Sequence, residues 1–357
     1  MLGTSYYLLQ VSDSDFFGFN KPVDVIVISN HDNGYNVFMK TATCDYCNKK
    51  TIVVHRKYSG ELICTNCFTN RIEKKIFQTI SKYKMLKPQD QIVVGVSGGK
   101  DSLALLYNLL KIQENNYRSK SIIAVTIDEG IKNYRINSTK NAIEFCKKYG
   151  IEHVTVSFKE KTGKTLDEIV ELKNNTAENK YACNFCATFR RRLLNETAKE
   201  LGADVLAMGH NLTDIAETFL MNILFKRFKL IANQYMFKEK SKEIQKFFVK
   251  KITPLMKIPE EEIFLYSNLK KIEYYPSHCP YREKDPILRK RVLEFIQECK
   301  KYSPETEFNL LNGFLEMSEI LSNNYVSTSY NSCKECGYPC GSTNLCLYCT
   351  YLKGVKE

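Results

Sequence analysis

Ser97-Gly98-Gly99-Lys100-Asp101-Ser102 is the densest chemical grouping in the chain. Two adjacent glycines let a backbone turn sharply and come close to a phosphate. Ser97 and Ser102 offer hydroxyls, and Lys100 offers a positive charge. The group follows an apolar run, Ile92–Val96, and opens a helical run, Ser102–Ile112. That context places free N–H groups at a helix start, where an anion is stabilised. The spacing is not that of a Walker A loop. A plain glycine turn is the alternative, but such a turn has no need of these six residues in this order.

Cysteine is the second source of chemistry. Ten of the 14 cysteines form five Cys-x-x-Cys pairs. The N-terminus has no basic region ahead of an apolar stretch, so these pairs read as metal or redox centres rather than as a disulfide scaffold. Cys44-x2-Cys47-x16-Cys64-x2-Cys67 and Cys333-x2-Cys336-x9-Cys346-x2-Cys349 each fit a closed, four-thiolate structural Zn2+ ribbon. Cys340, beside Pro339 and Gly341, reads as a non-ligand in a turn. The fifth pair, Cys183-Asn-Phe-Cys186, precedes the basic start of a helix, Phe189-Arg190-Arg191-Arg192. Farther on stand Gly209-His210-Asn211-Leu212-Thr213-Asp214 and His278-Cys279-Pro280-Tyr281. From residue type alone the central cysteines suit an iron–sulfur cluster, a persulfide-carrying pair, a zinc site or a structural pair.

These groups need a scaffold, and the pattern between them supplies it. Strand-like runs at 92–96, 121–128, 152–158 and 203–209 alternate with helical runs at 102–112, 137–149, 187–201 and 211–224. This rhythm predicts an α/β fold with a Rossmann-like parallel sheet, whose ligands bind at the carboxyl ends of the strands. Further helices are expected at 71–86, 259–271, 286–301 and 307–321, a strand at 23–29, a turn at 31–36 and a linker at 323–332. The expected organisation is an extension over 1–40, a zinc ribbon over 41–70, a catalytic domain over 71–325 and a second ribbon over 326–357.

Taken together, the SGGKDS loop, the three central cysteines, GHNLTD and the two terminal tetrads resemble the TtuA/TtcA family of tRNA thiolases. The likeness lies closest to the TtuA/NcsA branch, in the PP-loop ATP pyrophosphatase superfamily, and covers about residues 40 to 353 in order. The resemblance implies ATP and Mg2+ at Ser97, Gly98, Gly99, Lys100, Asp101 and Ser102, with Ile127, Gly209 and His210 lining the nucleotide. It implies a [4Fe-4S] cluster on Cys183, Cys186 and Cys279, with one iron left open to sulfide. It makes Asp214, Arg190, Cys183 and Cys279 the catalytic set. Arg190 stands where the family often has Lys; because Arg stays protonated, it suits charge stabilisation better than proton transfer. Asp214 can also be a helix-start carboxylate, and His210 a simple loop residue. The implied reaction is adenylation of a tRNA uridine and replacement of its C2 oxygen by sulfur, at the wobble or the T-loop position. Sulfide or a ubiquitin-like thiocarboxylate carrier would donate the sulfur, and the resemblance suggests a homodimer. A 2-thiocytidine synthetase lacks the reason for two ribbons. An amide-forming enzyme such as lysidine synthetase has no use for the central thiols. A non-catalytic tRNA-binding partner predicts a decayed loop, and this one is intact.

Composition agrees with these expectations. The formal charge of +12 suits a polyanionic partner, although a lysine-rich surface also serves solubility. Arg190–Arg192, Lys226-Arg227, Lys229, the stretch 238–251 and Arg289-Lys290-Arg291 are candidate phosphate contacts. No apolar run nears the ~18 residues of a membrane span, so a cytoplasmic protein without membrane attachment is expected. Because close relatives begin near the first Cys-x-x-Cys pair, translation from Met39 is expected.

Overall fold

A computed structural model of the protein describes residues 6–10, 24–30, 35–115, 119–174, 182–234, 242–276, 279–281, 288–324, 331–340 and 343–356. His278, residues 238–241 of the basic stretch, most of the expected 31–36 turn and most of the 323–332 linker lie outside them.

The chain opens with an antiparallel five-stranded sheet in sequential order: β1 (Tyr6–Gln10), β2 (Asp24–Asn30), β3 (Tyr35–Thr43), β4 (Lys50–His55) and β5 (Leu62–Cys64). β3 runs through the boundary expected at residue 40, pairing Met39 with both Ile26 and Val54. The sheet therefore joins the extension to the first cysteine module. Cys64 then caps helix α1 (Thr65–Lys82), its Sγ accepting the Cys67 N–H. Phe68, Ile72, Ile76 and Ile80, spaced four apart, form the buried stripe of that helix.

The second sheet holds the four expected strands and a fifth that the sequence reading did not expect, at the end of the basic stretch. β6 (Ile92–Gly95), β7 (Ile123–Asp128), β8 (Glu152–Ser157), β9 (Val205–Met208) and β10 (Lys250–Ile252) lie parallel in the order β10-β9-β6-β7-β8. Val93 and Leu206 face one core, and their neighbours Val94, Val205 and Ala207 face the other. Burial on both sides is why these strands read as unbroken apolar runs. Helices α2 (Lys100–Glu114) and α3 (Arg135–Lys148) pack on one face. After α4 (Phe158–Thr162), helices α5 (Leu166–Asn174) and α6 (Ala182–Glu200) pack on the other. The chain continues through α7 (Leu212–Leu224), α8 (Phe228–Asn233), α9 (Lys242–Gln245), α10 (Glu260–Leu269), α11 (Leu288–Tyr302) and α12 (Thr306–Asn324). It ends in a hairpin, β11 (Asn331–Ser332) and β12 (Pro339–Cys340), and α13 (Leu347–Lys356). Among the described residues no helix is long and apolar enough to cross a membrane.

Both cysteine modules are fastened to this body. Arg56, in the first, forms a 2.7 Å ion pair through Nε with Glu262 Oε1 on α10, and both side chains are buried. The Tyr58 hydroxyl donates to the same oxygen at 2.8 Å. In the second, Tyr351 packs on Phe185 of α6 with centroids 4.5 Å apart, and Tyr348 meets Phe189 edge-on at 5.2 Å.

Candidate active site

Chain order reverses between β6 and β9, which makes their carboxyl ends the switch point where such sheets bind ligands. The SGGKDS loop leaves β6 there, and Gly209-His210-Asn211 leaves β9. The two loops touch at backbone distance: a Cβ on Gly209 would lie 3.0 Å from the Ser102 nitrogen. Gly98 has φ +81, and a Cβ on it would lie 1.8 Å from the Ser138 carbonyl oxygen, so only glycine fits. Gly99 is the N-cap of α2 and has no side chain to cap it. Within the loop the Ser97 N–H donates to Ser102 Oγ at 3.1 Å, and Ser102 Oγ donates to the Gly99 carbonyl at 3.0 Å. From outside, the Tyr275 N–H holds the Gly98 carbonyl at 3.0 Å.

Lys100 is enclosed by carboxylates, with Glu260 Oε1 at 2.5 Å and Asp101 Oδ2 at 3.1 Å from Nζ. Burial works against its charge, but these two partners outweigh burial and keep its pKa above the ordinary lysine value. Asp101 is pushed up to about 6, chiefly by burial, with the Glu260 and Asp214 carboxylates adding and Lys100 opposing. Asn211 Nδ2 also donates to Asp101 Oδ1 at 3.0 Å, tying the two loops side chain to side chain.

Asp214 sits in a capping box. Its N–H donates to Asn211 Oδ1 at 2.9 Å, and its Oδ2 accepts the Asn211 N–H at 3.2 Å. Its other oxygen accepts from Arg289 Nη2 at 2.9 Å. The helix-start role is thus realised, one turn from the nucleotide loop. His210 is exposed at the loop tip. The Ile127 carbonyl accepts a hydrogen bond from Arg135 Nη2.

The Cys183–Cys186 pair does not precede its helix, as the sequence suggests; it lies inside the first turns of α6. Cys183, Cys186 and Arg190 then fall at i, i+3 and i+7, on one face. Phe185 and Phe189 are buried in the core, and Cys186 packs at its edge. Cys279 approaches from the segment after Tyr275, pinned by the Tyr281 hydroxyl donating to Asp167 Oδ1 at 2.7 Å. The Cys186 thiol is pushed up to about 12, first by burial, then by Glu129 and the other two thiols, against the pull of Arg190.

The terminal tetrads differ from this trio in scale. In each, all four Sγ atoms lie within 4.8 Å of one another. Cys47–Cys64 and Cys336–Cys346 are 3.8 and 3.7 Å apart. A tetrahedron with Zn–S bonds of about 2.3 Å has an edge of about 3.8 Å. In both modules burial raises the first thiol, yet backbone N–H groups outweigh it and bring Cys44 and Cys333 down to about 6. Cys340 stays outside its tetrad, its Sγ donating to the Asn331 and Thr343 carbonyls. Cys183, Cys186 and Cys279 form no such single-ion set among the described residues. Three thiolates are the kind of ligand set that an iron–sulfur cluster takes.

Two candidate phosphate contacts are engaged internally. Arg192 pairs with Glu196 at 2.6 Å and lies 3.2 Å from the Tyr338 ring centroid, so it docks the C-terminal module. Arg289 is held by Asp214 and by Glu217, the latter at 2.5 Å. Sequence reading missed Glu260 and Arg135. Glu260 hides in an acidic first turn, Glu260–Glu262, that a helix dipole alone explains. Arg135 opens α3 with no local motif around it.

Residues 68–294 match the family model described as a PP-loop domain. The chain is 36% identical to a "probable sulfurtransferase" of Methanocaldococcus jannaschii over 85% of each chain. It is 31% identical to the tRNA 2-thiolation protein NcsA of Haloferax volcanii, over 88% of this chain and 99% of that one. The solved structure of the U34-tRNA thiolase NcsA from Methanococcus maripaludis with its [4Fe-4S] cluster superposes with a TM-score of 0.73 at 32% identity, covering 87% of this chain and 96% of that one. The chain belongs to the PP-loop family and, within it, to the tRNA 2-thiolation proteins.

Proposed function

We propose that the protein is an ATP-dependent tRNA thiolase that replaces the C2 oxygen of a tRNA uridine with sulfur, the wobble uridine being the favoured target. The observation that carries this is the link from the nucleotide loop through Arg135, Glu129 and Arg190 to the helix bearing Cys183 and Cys186, with the chain-distant Cys279 near enough to act on the Cys186 thiol. The likeness to a U34-tRNA thiolase supports the wobble position over the T loop.

In this reading the N–H groups at the start of α2, the Ser97 and Ser102 hydroxyls and Lys100 hold the ATP phosphates. Asp101, assisted by Asp214, faces their Mg2+. The uridine oxygen attacks the α-phosphorus and pyrophosphate leaves. A C–S bond then forms as the C–O bond breaks, and AMP carries the oxygen away. Arg190 stabilises the negative charge that develops on the way. The three thiols would hold a [4Fe-4S] cluster, which supplies sulfide-binding chemistry when present. The terminal tetrads hold zinc. Sulfide or a thiocarboxylate carrier supplies the sulfur, and the enzyme works in the cytoplasm as a homodimer.

Nucleoside mass spectrometry of tRNA from a strain lacking the gene tests this. Loss of a 2-thiouridine derivative from the wobble position is expected. Unchanged thionucleosides, with no second thiolase present, overturn the reading. For the cluster, anaerobically purified protein that thiolates tRNA without iron or labile sulfide is the refuting result.

A further inference from the structure

Glu129 follows β7 and projects between the nucleotide loop and the thiol site. Its two oxygens serve different arginines. Oε2 lies 2.8 Å from Arg135 Nε, and Oε1 lies 3.7 Å from Arg190 Nη1. The carboxylate is 4% exposed and Arg135 5%, whereas Arg190 is 52% exposed. Arg135 reaches on to the Ser97 carbonyl at 3.2 Å, to the Ile127 carbonyl and to Ser138 Oγ at 3.3 Å. The backbone around Glu129 is fixed as well. Its carbonyl accepts the Leu166 N–H at 2.7 Å, and the next residue, Gly130, has φ +71 with Thr165 occupying the space of a side chain.

The Glu129–Arg135 pair is costly to bury, and either member left there without the other would cost more. Packing would be served as well by apolar residues. What the trio does that apolar residues cannot is connect a buried arginine gripping the nucleotide loop to a half-exposed arginine on the face of the thiols. Arg190 has a long flexible stem and lies beyond the close-packed core, so a fixed anion at its base sets its direction.

We infer that Glu129 is a positioning residue: its Oε2–Arg135 arm sets the nucleotide loop, and its Oε1 arm aims Arg190 at the reacting centre. This rests on the proposed thiolase reading, in which Arg190 stabilises developing charge.

The arms separate experimentally because their lengths differ. Glu129→Asp shortens the reach by one methylene, which keeps the nearer partner, Arg135, and releases the farther one, Arg190. The expected result is a fall in kcat for tRNA thiolation on the order of a hundredfold, with KM for ATP unchanged. Arg190→Ala should show the same split, and adding Glu129→Asp to it should cost less than about twofold more, since the two act as one unit. Arg135→Lys should instead weaken ATP binding, read by equilibrium titration of the protein as isolated, without tRNA. Thermal melting checks that each variant is folded. Losses that multiply in the double variant, a Glu129→Asp protein with unaltered kcat, or one whose KM rises as much as its kcat falls, overturn the inference. If wild-type protein thiolates nothing, the functional reading fails instead, and the ATP titration still decides the Arg135 arm.

Discussion

Replacing Gly98 by alanine isolates the demand that the nucleotide loop places on its backbone. Two penalties act at this position. The first is the left-handed conformation, which costs a residue with a Cβ about 1–2 kcal/mol. The second is steric: the new methyl would sit 1.8 Å from the Ser138 carbonyl oxygen, where real contacts do not fall below 3.0 Å. The loop or the start of α3 must therefore move by more than about 1 Å, and a misplacement of that size can cost on the order of a hundredfold in rate. Two controls separate the terms. Gly60→Ala has φ +70 with nothing within 4 Å, so it carries the conformational penalty alone, outside the loop. Gly99→Ala has an ordinary φ of −87 and meets only Ser97 Oγ at 3.4 Å. Steady-state kinetics with ATP varied, beside denaturant unfolding, give the comparison. We expect Gly60→Ala to lose stability and keep kcat/KM, Gly99→Ala to keep its stability and lose less kcat/KM than Gly98→Ala, through the phosphate its methyl would crowd, and Gly98→Ala to lose about a hundredfold or more in kcat/KM for ATP. A Gly98→Ala enzyme within threefold of wild type would refute the reasoning.

Removing Glu262 with alanine leaves Glu61, 3.3 Å away, as the one carboxylate paired with buried Arg56 among the described residues; we expect a loss of about 3–5 kcal/mol by urea unfolding, and a loss under ~1 kcal/mol would contradict the buried-pair account. Asp101 stands above its unfolded value of 3.8, at about 6, so ionising it costs the folded state stability as pH rises through that window. Asp101→Asn should therefore gain on wild type between about pH 4 and 6 and hold that advantage above it; an advantage that shrinks as pH rises would show the sign to be wrong. Cys346→Ser should lower bound zinc from two ions per chain to one by elemental analysis, and two ions retained would remove the C-terminal tetrad from the metal sites.

Much of the site was legible because its signals are local. The SGGKDS loop lies where a strand becomes a helix, and four contiguous residues announce each Cys-x-x-Cys pair. The parallel sheet was legible because burial on both faces leaves apolar runs that no exposed strand shows. What escaped is tertiary. Arg192 looks like a phosphate ligand until Tyr338, far along the chain, is found against it. Glu260 looks like one of three dipole-complementing acids until Lys100 arrives at 2.5 Å. The start of α6 was misplaced because Cys183-Asn-Phe-Cys186 carries weak helix formers, and packing of Phe185 against Tyr351 overrides that preference.

The seat of α6 on the C-terminal module also sets a timetable. Phe189 must wait for Tyr351, made about 160 residues later, which at ~5–20 residues per second is on the order of 8–30 s of synthesis. During that interval Phe189 has Phe158 beside it, while Phe185 and Phe189 still lack the cover of Tyr348 and Tyr351. Completion of the packing beneath Cys183 and Cys186 is therefore a late event, dependent on the module that carries the Cys333–Cys349 tetrad. If that tetrad takes zinc as proposed, a shortage of the metal would reach the face of Cys183 and Cys186 through the aromatic packing beneath it.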